Sequence, residues 1–447
     1  MISITVNTQT PPVKFNLTFQ QLIEKYGELT IPIDIELLNP EDIQTTVGGV
    51  SRMIMQLSGH LGLSPSWVSL GPGYPSQAVY KNIRISFIDL DPTDLARFTR
   101  FKEGIYSESH SLRQYRFNPK DYLGYTIYNW NSARALMEEF DRTDVFFVND
   151  FQQLLIGGII GPSAPAVLWY HIPLVPEKMS DEVRGFVRRS MDGFDIVMLS
   201  TKRDLEGLIR LGSRVKAKQT YPFIDPDYYK KSNMTTTSRV LERLNLKNDE
   251  KKVLLVGRMD PIKSQDMAIS AIKGIDAKLV LVGDGSFTST SLGHDKASTW
   301  IKALKELARQ EGVEDRVVFA GYMPDDELMS LYQECDVVVL PSKVEGFGLS
   351  VCEGWRYQKP VVVSRGAGIA ELILDGLNGF AFESGDVIQL HECINKALVA
   401  KKEVGEMGYA TMNQWCSLKS NSESIKEVME DAYYSYKPRG AADTHVK

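Results

Sequence analysis

Residues 336–360, DVVVLPSKVEGFGLSVCEGWRYQKP, hold the pattern that decides the fold of this 447-residue chain. The aliphatic, β-branched run at 336–340 is typical of an interior parallel strand. Gly346 and Gly348 let the backbone approach a ligand closely, and a helix that begins near Gly348 presents N–H groups and a positive dipole end to an anion. The stretch therefore predicts a strand, a ligand-binding turn and a helix, as in doubly wound α/β sheets.

A second strand pattern, VLLVG at 253–257, precedes Arg258 and Lys263 in a turn before a helix from about residue 265. The planar fork of an arginine and the mobile ammonium of a lysine can together surround a diphosphate. Two surface bases are the ordinary interpretation of this spacing when it stands alone. Their place in the same alternating strand–helix segment as Glu345 favours anion binding, and the alternation predicts a parallel sheet.

The segment from Glu345 to Glu353, EGFGLSVCE, resembles the E-x7-E signature of family 4 of the retaining glycosyltransferases. The resemblance implies the α/β GT-B fold, with two Rossmann-like doubly wound domains facing across a cleft. It also implies a nucleoside-diphosphate sugar as donor substrate and no cofactor or metal. Solvated helix-end charges are the simpler interpretation of the two glutamates if the motif is taken alone.

The resemblance assigns a role to each matched residue. Glu345 would contact the donor sugar, Glu353 the ribose, and Arg258 with Lys263 the diphosphate. Tyr322 would lie at a strand end near the base, although packing is an equal alternative for a tyrosine there. The donor-binding set implied is Gly48, Gly49, Arg258, Lys263, Tyr322, Glu345, Gly346, Phe347, Gly348, Leu349, Ser350 and Glu353.

The amino-terminal half offers paired glycines, Gly48 and Gly49, before an apolar-periodic stretch, and polar residues at the ends of two buried-strand patterns. Those polar residues resemble the acceptor site of the retaining transferases that make trehalose, which usually have a histidine at the position of Asn149. The predicted acceptor-binding residues are Asn149, Asp150, Gln152 and His171, and the predicted catalytic residues are His171, Arg258, Lys263 and Glu345.

Length and composition favour two domains. We expect an acceptor-binding domain at 1–228, a nucleotide-sugar-binding domain at 229–419, and a last helix at about 420–437 that packs on the first, with a loose tail after 437. A net charge of −6 argues against a nucleic-acid partner. The sequence shows no signal peptide and no apolar run long enough to span a membrane. A cytoplasmic protein is expected, and a homodimer is left open.

Other features admit plainer interpretations. The four cysteines, none in a C-x-x-C pair, are expected to be reduced core thiols. The string GAGIAE at 366–371 misses the dinucleotide fingerprint at its sixth position, which disfavours a dehydrogenase. The D-x-D strings at 89–91 and 225–227 are expected to be turns rather than metal sites. Arg184, Arg188 and Arg189 with Phe194 could form a basic amphipathic face, but a solvated helix is favoured.

These patterns predict a retaining glycosyltransferase that moves a hexose, most simply glucose, to a soluble sugar-like acceptor, with glucose as acceptor giving trehalose. A lipid-linked or polymeric glycan acceptor is the first alternative. A GT-B epimerase or phosphorylase and a binding protein with a degenerate transferase fold are the others. The base of the nucleotide, the hexose and the acceptor are not decided by the residues.

Overall fold

The computed structural model describes residues 2–45, 48–285 and 292–436. The chain divides into two compact units, Met1–Thr220 with Ser422–Lys447, and Tyr221–Asn421. The second unit begins before the expected residue 229, because Tyr221, Ile224 and Tyr229 are buried in its core. The expected loose tail after 437 lies outside the described residues.

The first unit is built on a sheet whose strand order is β11-β10-β9-β8-β1-β5-β7-β6-β3. Its core strands pair in parallel, and β6 pairs antiparallel with β7. A separate antiparallel pair joins β2 and β4. The strands are β1 Ile4–Asn7, β2 Val13–Phe15, β3 Ile33–Asp34, β4 Ile43–Thr45, β5 Ser66–Leu70, β6 Gln77–Tyr80, β7 Ile83–Ile88, β8 Val145–Asn149, β9 Ala166–Tyr170, β10 Ile196–Leu199 and β11 Lys216–Gln219. The helices are α1 Phe19–Tyr26, α2 Gly49–His60, α3 Pro92–Ser109, α4 Pro119–Met137, α5 Ile156–Ile160, α6 Asp181–Met191 and α7 Lys202–Leu211.

The second unit has an all-parallel sheet of order β14-β13-β12-β15-β16-β17. The strands are β12 Lys252–Val256, β13 Lys278–Val282, β14 Val317–Gly321, β15 Val337–Leu340, β16 Val361–Ser364 and β17 Phe380–Phe382. The helices are α8 Met234–Arg243, α9 Gln265–Ala271, α10 Leu292–Gln310, α11 Asp325–Glu334, α12 Leu349–Arg356, α13 Val387–Leu398, α14 Lys402–Trp415 and α15 Leu418–Ser435. From Ser422 onward, α15 belongs to the first unit, where Asp431 pairs with Lys216.

The strand order places the two predicted ligand-binding turns next to each other. The chain runs from β12 outward to β13 and β14, then returns to place β15 on the other side of β12. The carboxyl ends of β12 and β15 are therefore neighbours at the point where the winding reverses. This is the position where ligands bind in open α/β sheets.

Candidate functional site

Lys263 and Glu345 meet at that switch point. Lys263 closes the short 3-10 turn Pro261–Lys263 after β12, and Glu345 follows β15. The Lys263 ammonium donates to the Glu345 carboxylate, and the Ser342 hydroxyl donates to the same oxygen at 3.2 Å. Both charged side chains are less than one fifth exposed, at 16% and 18%. The structure thus brings together two of the predicted catalytic residues.

The turn after Glu345 is held from one side by the chain that follows β16. Glu345 N–H donates to the Gly366 carbonyl, Gly368 N–H donates to the Glu345 carbonyl, and Ile369 N–H donates to the Phe347 carbonyl. Within the described part of the chain, the amides of Gly346, Phe347 and Gly348 donate no intramolecular hydrogen bond. Those three amides are the ones that the resemblance assigns to the donor sugar.

Gly348 starts α12 in a conformation that only glycine adopts easily. Its φ is +116°, and a Cβ there would lie 2.4 Å from the Leu340 side chain. Helix α12 begins with no side-chain cap, so the N–H groups of its first turn, at Leu349 and Ser350, have no capping side chain. The turn and the helix start therefore present a row of backbone donors with the positive end of the helix dipole.

Glu353 lies on α12 between two tyrosines. The Tyr229 hydroxyl donates to one carboxylate oxygen at 2.7 Å, and the hydroxyl of the fully buried Tyr332 donates to the other. Burial, followed by the negative charge of Glu353, raises the pKa of Tyr332 well above its ordinary value, so this tyrosine remains a donor. A carboxylate can accept about four hydrogen bonds, so two tyrosines do not exhaust its capacity.

Arg258 lies in the loop between β12 and the turn that ends at Lys263. The fully buried Gln265 holds this loop, because its amide donates to the Arg258 carbonyl at 2.7 Å and accepts from the Trp300 indole at 3.0 Å. Sequence reasoning missed Gln265, which lies at the first position of α9. Tyr322 follows β14 and is half exposed, and Phe347 is buried and packs its ring against Tyr221.

In the first unit, polar residues follow four neighbouring strands at one sheet edge. They are Thr8 and Gln9 after β1, Asn149 with Asp150 at the end of β8, His171 after β9 and Ser200 after β10. The predicted residues Asn149, Asp150 and His171 are brought together here. Gln152 is half buried, and the structure gives its carbonyl as an acceptor for Asn129 at 3.1 Å.

His171 is held between two side chains. Its Nε2 lies 3.4 Å from the Asn149 side-chain oxygen, and its Nδ1 lies 3.4 Å from the Ser200 hydroxyl. The Asn149 amide nitrogen faces backbone carbonyls, which points its oxygen at the ring. Burial lowers the pKa of His171 to about 3. The imidazole is therefore neutral near pH 7, with Nε2 as the donor, and it can orient a ligand without carrying charge.

Asp150 occupies a left-handed backbone conformation, with φ +75°. Its carboxylate accepts from the His171 N–H at 3.2 Å, and its own N–H donates to the Trp169 carbonyl. Burial raises the pKa of Asp150 to about 6, against the backbone hydrogen bonds that act to lower it. Non-glycine residues with positive φ often mark functional positions, which fits the predicted role.

Two other residues at this edge, Gln153 and Ser200, were not predicted from the sequence. Gln153 is fully buried, and with its amide oriented to satisfy its neighbours it donates to the Asn149 carbonyl at 2.8 Å and accepts from Gln9 N–H at 2.6 Å. Ser200 was not singled out either, although it follows a buried-strand pattern.

Gly48 has φ +77° and caps the start of α2, and both Gly48 and Gly49 are exposed.

The acidic strings serve local structure. Asp91 accepts from two backbone amides at the start of α3, and Asp225 accepts from Asp227 N–H at 3.0 Å. Among the described residues, no group of three or more histidine, cysteine, aspartate or glutamate side chains is arranged to hold a metal ion. The four cysteines are buried and free.

The part of the sequence that forms the carboxyl-terminal sheet is similar to a known protein family. Residues 238–414 match the family model described as glycosyl transferases group 1. This segment is similar to the group 1 glycosyltransferase domain. A D-inositol 3-phosphate glycosyltransferase of Xylanimonas cellulosilytica is 30% identical over 199 residues, which cover 43% of this chain and 46% of that relative. The chain thus matches about half the length of its curated relatives.

Solved structures extend the similarity of fold beyond the group 1 domain. Anabaena HepE in complex with UDP and glucose aligns with a TM-score of 0.68 at 19% identity, over 96% of this chain and 100% of that one. A UDP-forming trehalose-phosphate synthase from Burkholderia xenovorans aligns with a TM-score of 0.72 at 16% identity, over 98% and 99%. The fold is GT-B, with two Rossmann-like domains, as predicted. In the described residues, no helix is long and apolar enough to cross a bilayer.

Proposed function

We propose that the chain transfers a hexosyl group, most simply glucosyl, from a nucleoside-diphosphate sugar to a soluble sugar-like acceptor, with retention at the anomeric carbon. The observation that carries this proposal is the Lys263–Glu345 pair at the switch point of the second sheet. A cation, a carboxylate and a row of backbone donors at one strand edge match the diphosphate and hydroxyl groups of such a donor.

The ion pair suggests how the donor engages. A diphosphate carries more charge than the Glu345 carboxylate, so it would draw the Lys263 ammonium toward itself while Glu345 accepts from sugar hydroxyls. Arg258 would add a planar fork to the same phosphates. Both cations would stabilise the negative charge that develops as the nucleoside diphosphate leaves, in a reaction that needs no metal.

The chemical step can be written without a covalent enzyme intermediate. The acceptor oxygen forms a bond to the anomeric carbon on the face from which the phosphate oxygen departs, and that departing oxygen takes the acceptor proton. The first unit would supply the acceptor contacts through Asp150, His171 and Asn149. The neutral His171 would orient a hydroxyl rather than transfer a proton.

A donor screen that measures released nucleoside diphosphate tests the proposal. Uridine, adenosine and guanosine diphosphate sugars would each be offered with glucose, glucose 6-phosphate, glycerate or glucan. We expect release that depends on an acceptor, survives chelation of divalent metals, and gives an α-linked product. Trehalose from free glucose is the most specific expected product.

The other outcomes separate the alternatives. Product formed without an acceptor would indicate an epimerase, and dependence on inorganic phosphate would indicate a phosphorylase. Nucleotide affinity without turnover on any acceptor would indicate a binding protein. Turnover only with a lipid-linked or polymeric acceptor would keep the reaction class and replace the soluble acceptor.

A further inference from the structure

The loop from Arg258 to Gln265 is closed by a side chain. The Gln265 amide nitrogen donates to the Arg258 carbonyl at 2.7 Å. Arg258 and Lys263, the two cations predicted to bind a diphosphate, both lie within the segment that this hydrogen bond spans. A Cβ at Gly257 would lie 3.7 Å from the Lys263 side chain, so the aliphatic part of that lysine runs back beside the start of the loop. The closing hydrogen bond therefore fixes the backbone that carries both cations.

Trp300 fixes the direction in which the Gln265 amide points. Its indole N–H, which can only donate, bonds the Gln265 side-chain oxygen at 3.0 Å. The Arg258 carbonyl can only accept, so the amide nitrogen must face it. Gln265 is fully buried, so water does not compete for these two hydrogen bonds. Trp300 lies on α10 and Gln265 begins α9, so the orientation of the loop depends on a second helix.

The residue before Gln265 has an unfavourable backbone conformation. Ser264 has φ +53°, in the left-handed region that is costly for a residue with a Cβ. It stands at the start of α9, where no side-chain hydrogen bond caps the helix. Within the described residues, the fully buried Ser264 hydroxyl has no hydrogen-bond partner. Such a conformation persists where the surrounding structure fixes it, and the hydrogen bond from Gln265 to Arg258 closes the loop around Ser264.

We infer that Gln265 and Trp300 are positioning residues for the phosphate groups of the donor. They act through Arg258 and Lys263, because the closed loop fixes the backbone of both cations before a diphosphate binds. This reduces the conformational entropy that is lost on binding. The inference rests on the proposed function, since it needs a diphosphate at the two cations.

Calorimetric titration of the full-length chain with inorganic pyrophosphate, in the presence of a chelator, tests the inference. Pyrophosphate carries the two phosphate groups without base or sugar, so the identity of the nucleotide does not matter. Gln265→Met removes both hydrogen bonds at similar side-chain length and without a change of charge. We expect it to weaken pyrophosphate binding at least about fivefold, on the scale of one hydrogen bond. Lys263→Ala, which removes a cation, should weaken it at least about tenfold.

Trp300→Phe separates the two partners of Gln265. It removes the indole donor and leaves the amide able to reach the Arg258 carbonyl, so we expect a smaller loss of pyrophosphate affinity, about threefold. The double variant Gln265→Met with Trp300→Phe should bind pyrophosphate as Gln265→Met does, because Trp300 acts through Gln265. Two independent effects would instead add in free energy.

Asn378→Leu is the matched control. Asn378 is also a buried amide of the second unit, and it donates to the Leu372 carbonyl at 2.9 Å and accepts from the Leu374 N–H at 2.8 Å. The segment that it closes contains no predicted donor contact. This variant should lower the melting temperature, as Gln265→Met does, and leave pyrophosphate affinity unchanged. With saturating donor, kcat should fall in Gln265→Met and not in Asn378→Leu, since charge develops on the phosphate as it departs.

Four outcomes overturn the inference. Parent-like pyrophosphate affinity in folded Gln265→Met, beside weakened binding in Lys263→Ala, would leave Gln265 a structural role and the proposed function intact. An equal loss of affinity in Asn378→Leu would show that the effect is not specific to the loop. If Gln265→Met does not fold, parent-like affinity in Trp300→Phe decides against the inference. Absence of binding of pyrophosphate and of every nucleoside diphosphate by the parent would remove the proposed donor site together with the inference.

Discussion

At the scale of single residues, an ion pair joins Lys263, which is predicted to bind the diphosphate of the donor, to Glu345, which is predicted to bind its sugar. Each side chain shields the other's charge in a partly buried position, so neither is left alone at the sheet edge. Removing one partner leaves the other as an uncompensated charge, which is costly where solvent is restricted. Loss of activity in such a variant must therefore be read beside its stability.

Lys263→Ala and Glu345→Gln should each reduce turnover at least about a hundredfold, on the scale of a lost electrostatic contact in a transition state. Initial rates with a saturating donor, measured with the free energy of unfolding, check the expectation. Lys273→Ala is the matched control, since Lys273 pairs with Glu311 at 3.0 Å on the surface of the same unit. Parent-like turnover in either test variant would remove the assigned roles.

Asp150→Asn should change how stability depends on pH. The folded-state pKa of about 6, against the ordinary 3.8, means that the folded protein binds a proton between pH 4 and 6 that the unfolded chain has lost. The contribution of this group to stability therefore falls as pH rises through that window. The unfolding free energy of Asp150→Asn relative to the parent should rise by about 2–3 kcal/mol from pH 4 to 7, by denaturant titration.

Replacing His171 should change the pH dependence of stability in the opposite direction. Its pKa of about 3 keeps it neutral in the folded protein, while the unfolded chain protonates it below its ordinary pKa of 6.5. His171→Gln should therefore gain stability relative to the parent as pH falls from 6.5 toward 3. If the stability differences between the parent and both variants were independent of pH, the environments described for Asp150 and His171 would be wrong.

Some of these residues could be predicted from sequence patterns, and others could not. Lys263 and Glu345 could be found because each follows a strand pattern that ends beside glycine or proline, and because the E-x7-E signature includes Glu345. Gln265, Gln153 and Ser200 could not be predicted in this way, because one polar residue at the start of a helix or the end of a strand forms no periodic pattern. Their roles come from burial and hydrogen bonds that only the folded chain shows.

At the scale of elements, α12 is held at its start and again at its middle. Gly348 fixes its start against Leu340, and the hydroxyls of Tyr229 and Tyr332 fix Glu353 one turn further along. Tyr332 lies on α11, and Tyr229 precedes α8. The orientation of Glu353 thus depends on parts of the chain that lie outside the motif, which is why the E-x7-E spacing alone could not predict it.

Tyr332→Phe should weaken nucleoside-diphosphate binding about tenfold, because it removes a hydrogen bond to a charged group that orients Glu353. Calorimetric titration with the nucleotide identified in the donor screen measures this. The donor KM should rise more than kcat falls. Tyr357→Phe is the control, since its hydroxyl donates to the Lys230 carbonyl and its ring stacks on Tyr332. Equal affinity in the two variants would leave Tyr332 with a packing role.

The elements themselves were largely predictable in the second unit. Strands there are continuous apolar runs with glycine or proline at their ends, and the helices expected from about residue 265 and near Gly348 begin at Gln265 and Leu349.

At the scale of the whole molecule, the two units have separate cores. We therefore expect a ligand that binds one unit to change hydrogen exchange mainly in that unit. Hydrogen exchange with and without the nucleoside diphosphate should show protection in the loops at 257–265 and 345–350, where the candidate donor groups lie. The strand ends at 149–153 and 171 should change little with nucleotide alone. Protection confined to the first unit would contradict the assignment of the donor to the second.

The whole-chain fold followed from the alternation of strands and helices in the later half more than from the earlier half. The first unit includes an antiparallel pair, β2 with β4, and an antiparallel step at β6 and β7, which interrupt the regular alternation. Short strands of two to four residues there, such as Ile33–Asp34, give too few positions for a period to be detected.

The loops that carry Lys263 and Glu345 are joined by a backbone hydrogen bond from the Lys343 N–H to the Ile262 carbonyl at 3.3 Å, and each lies close to a further loop. A Cβ at Gly283 would lie 2.0 Å from the Gly257 carbonyl, and one at Gly366 would lie 1.9 Å from the Lys343 carbonyl. If this unit binds the proposed donor, transplanting one loop alone should do little to change the sugar or base of that donor. A chimera should therefore exchange the segments after β12, β13, β15 and β16 together, and these segments should include Gly283 and Gly366.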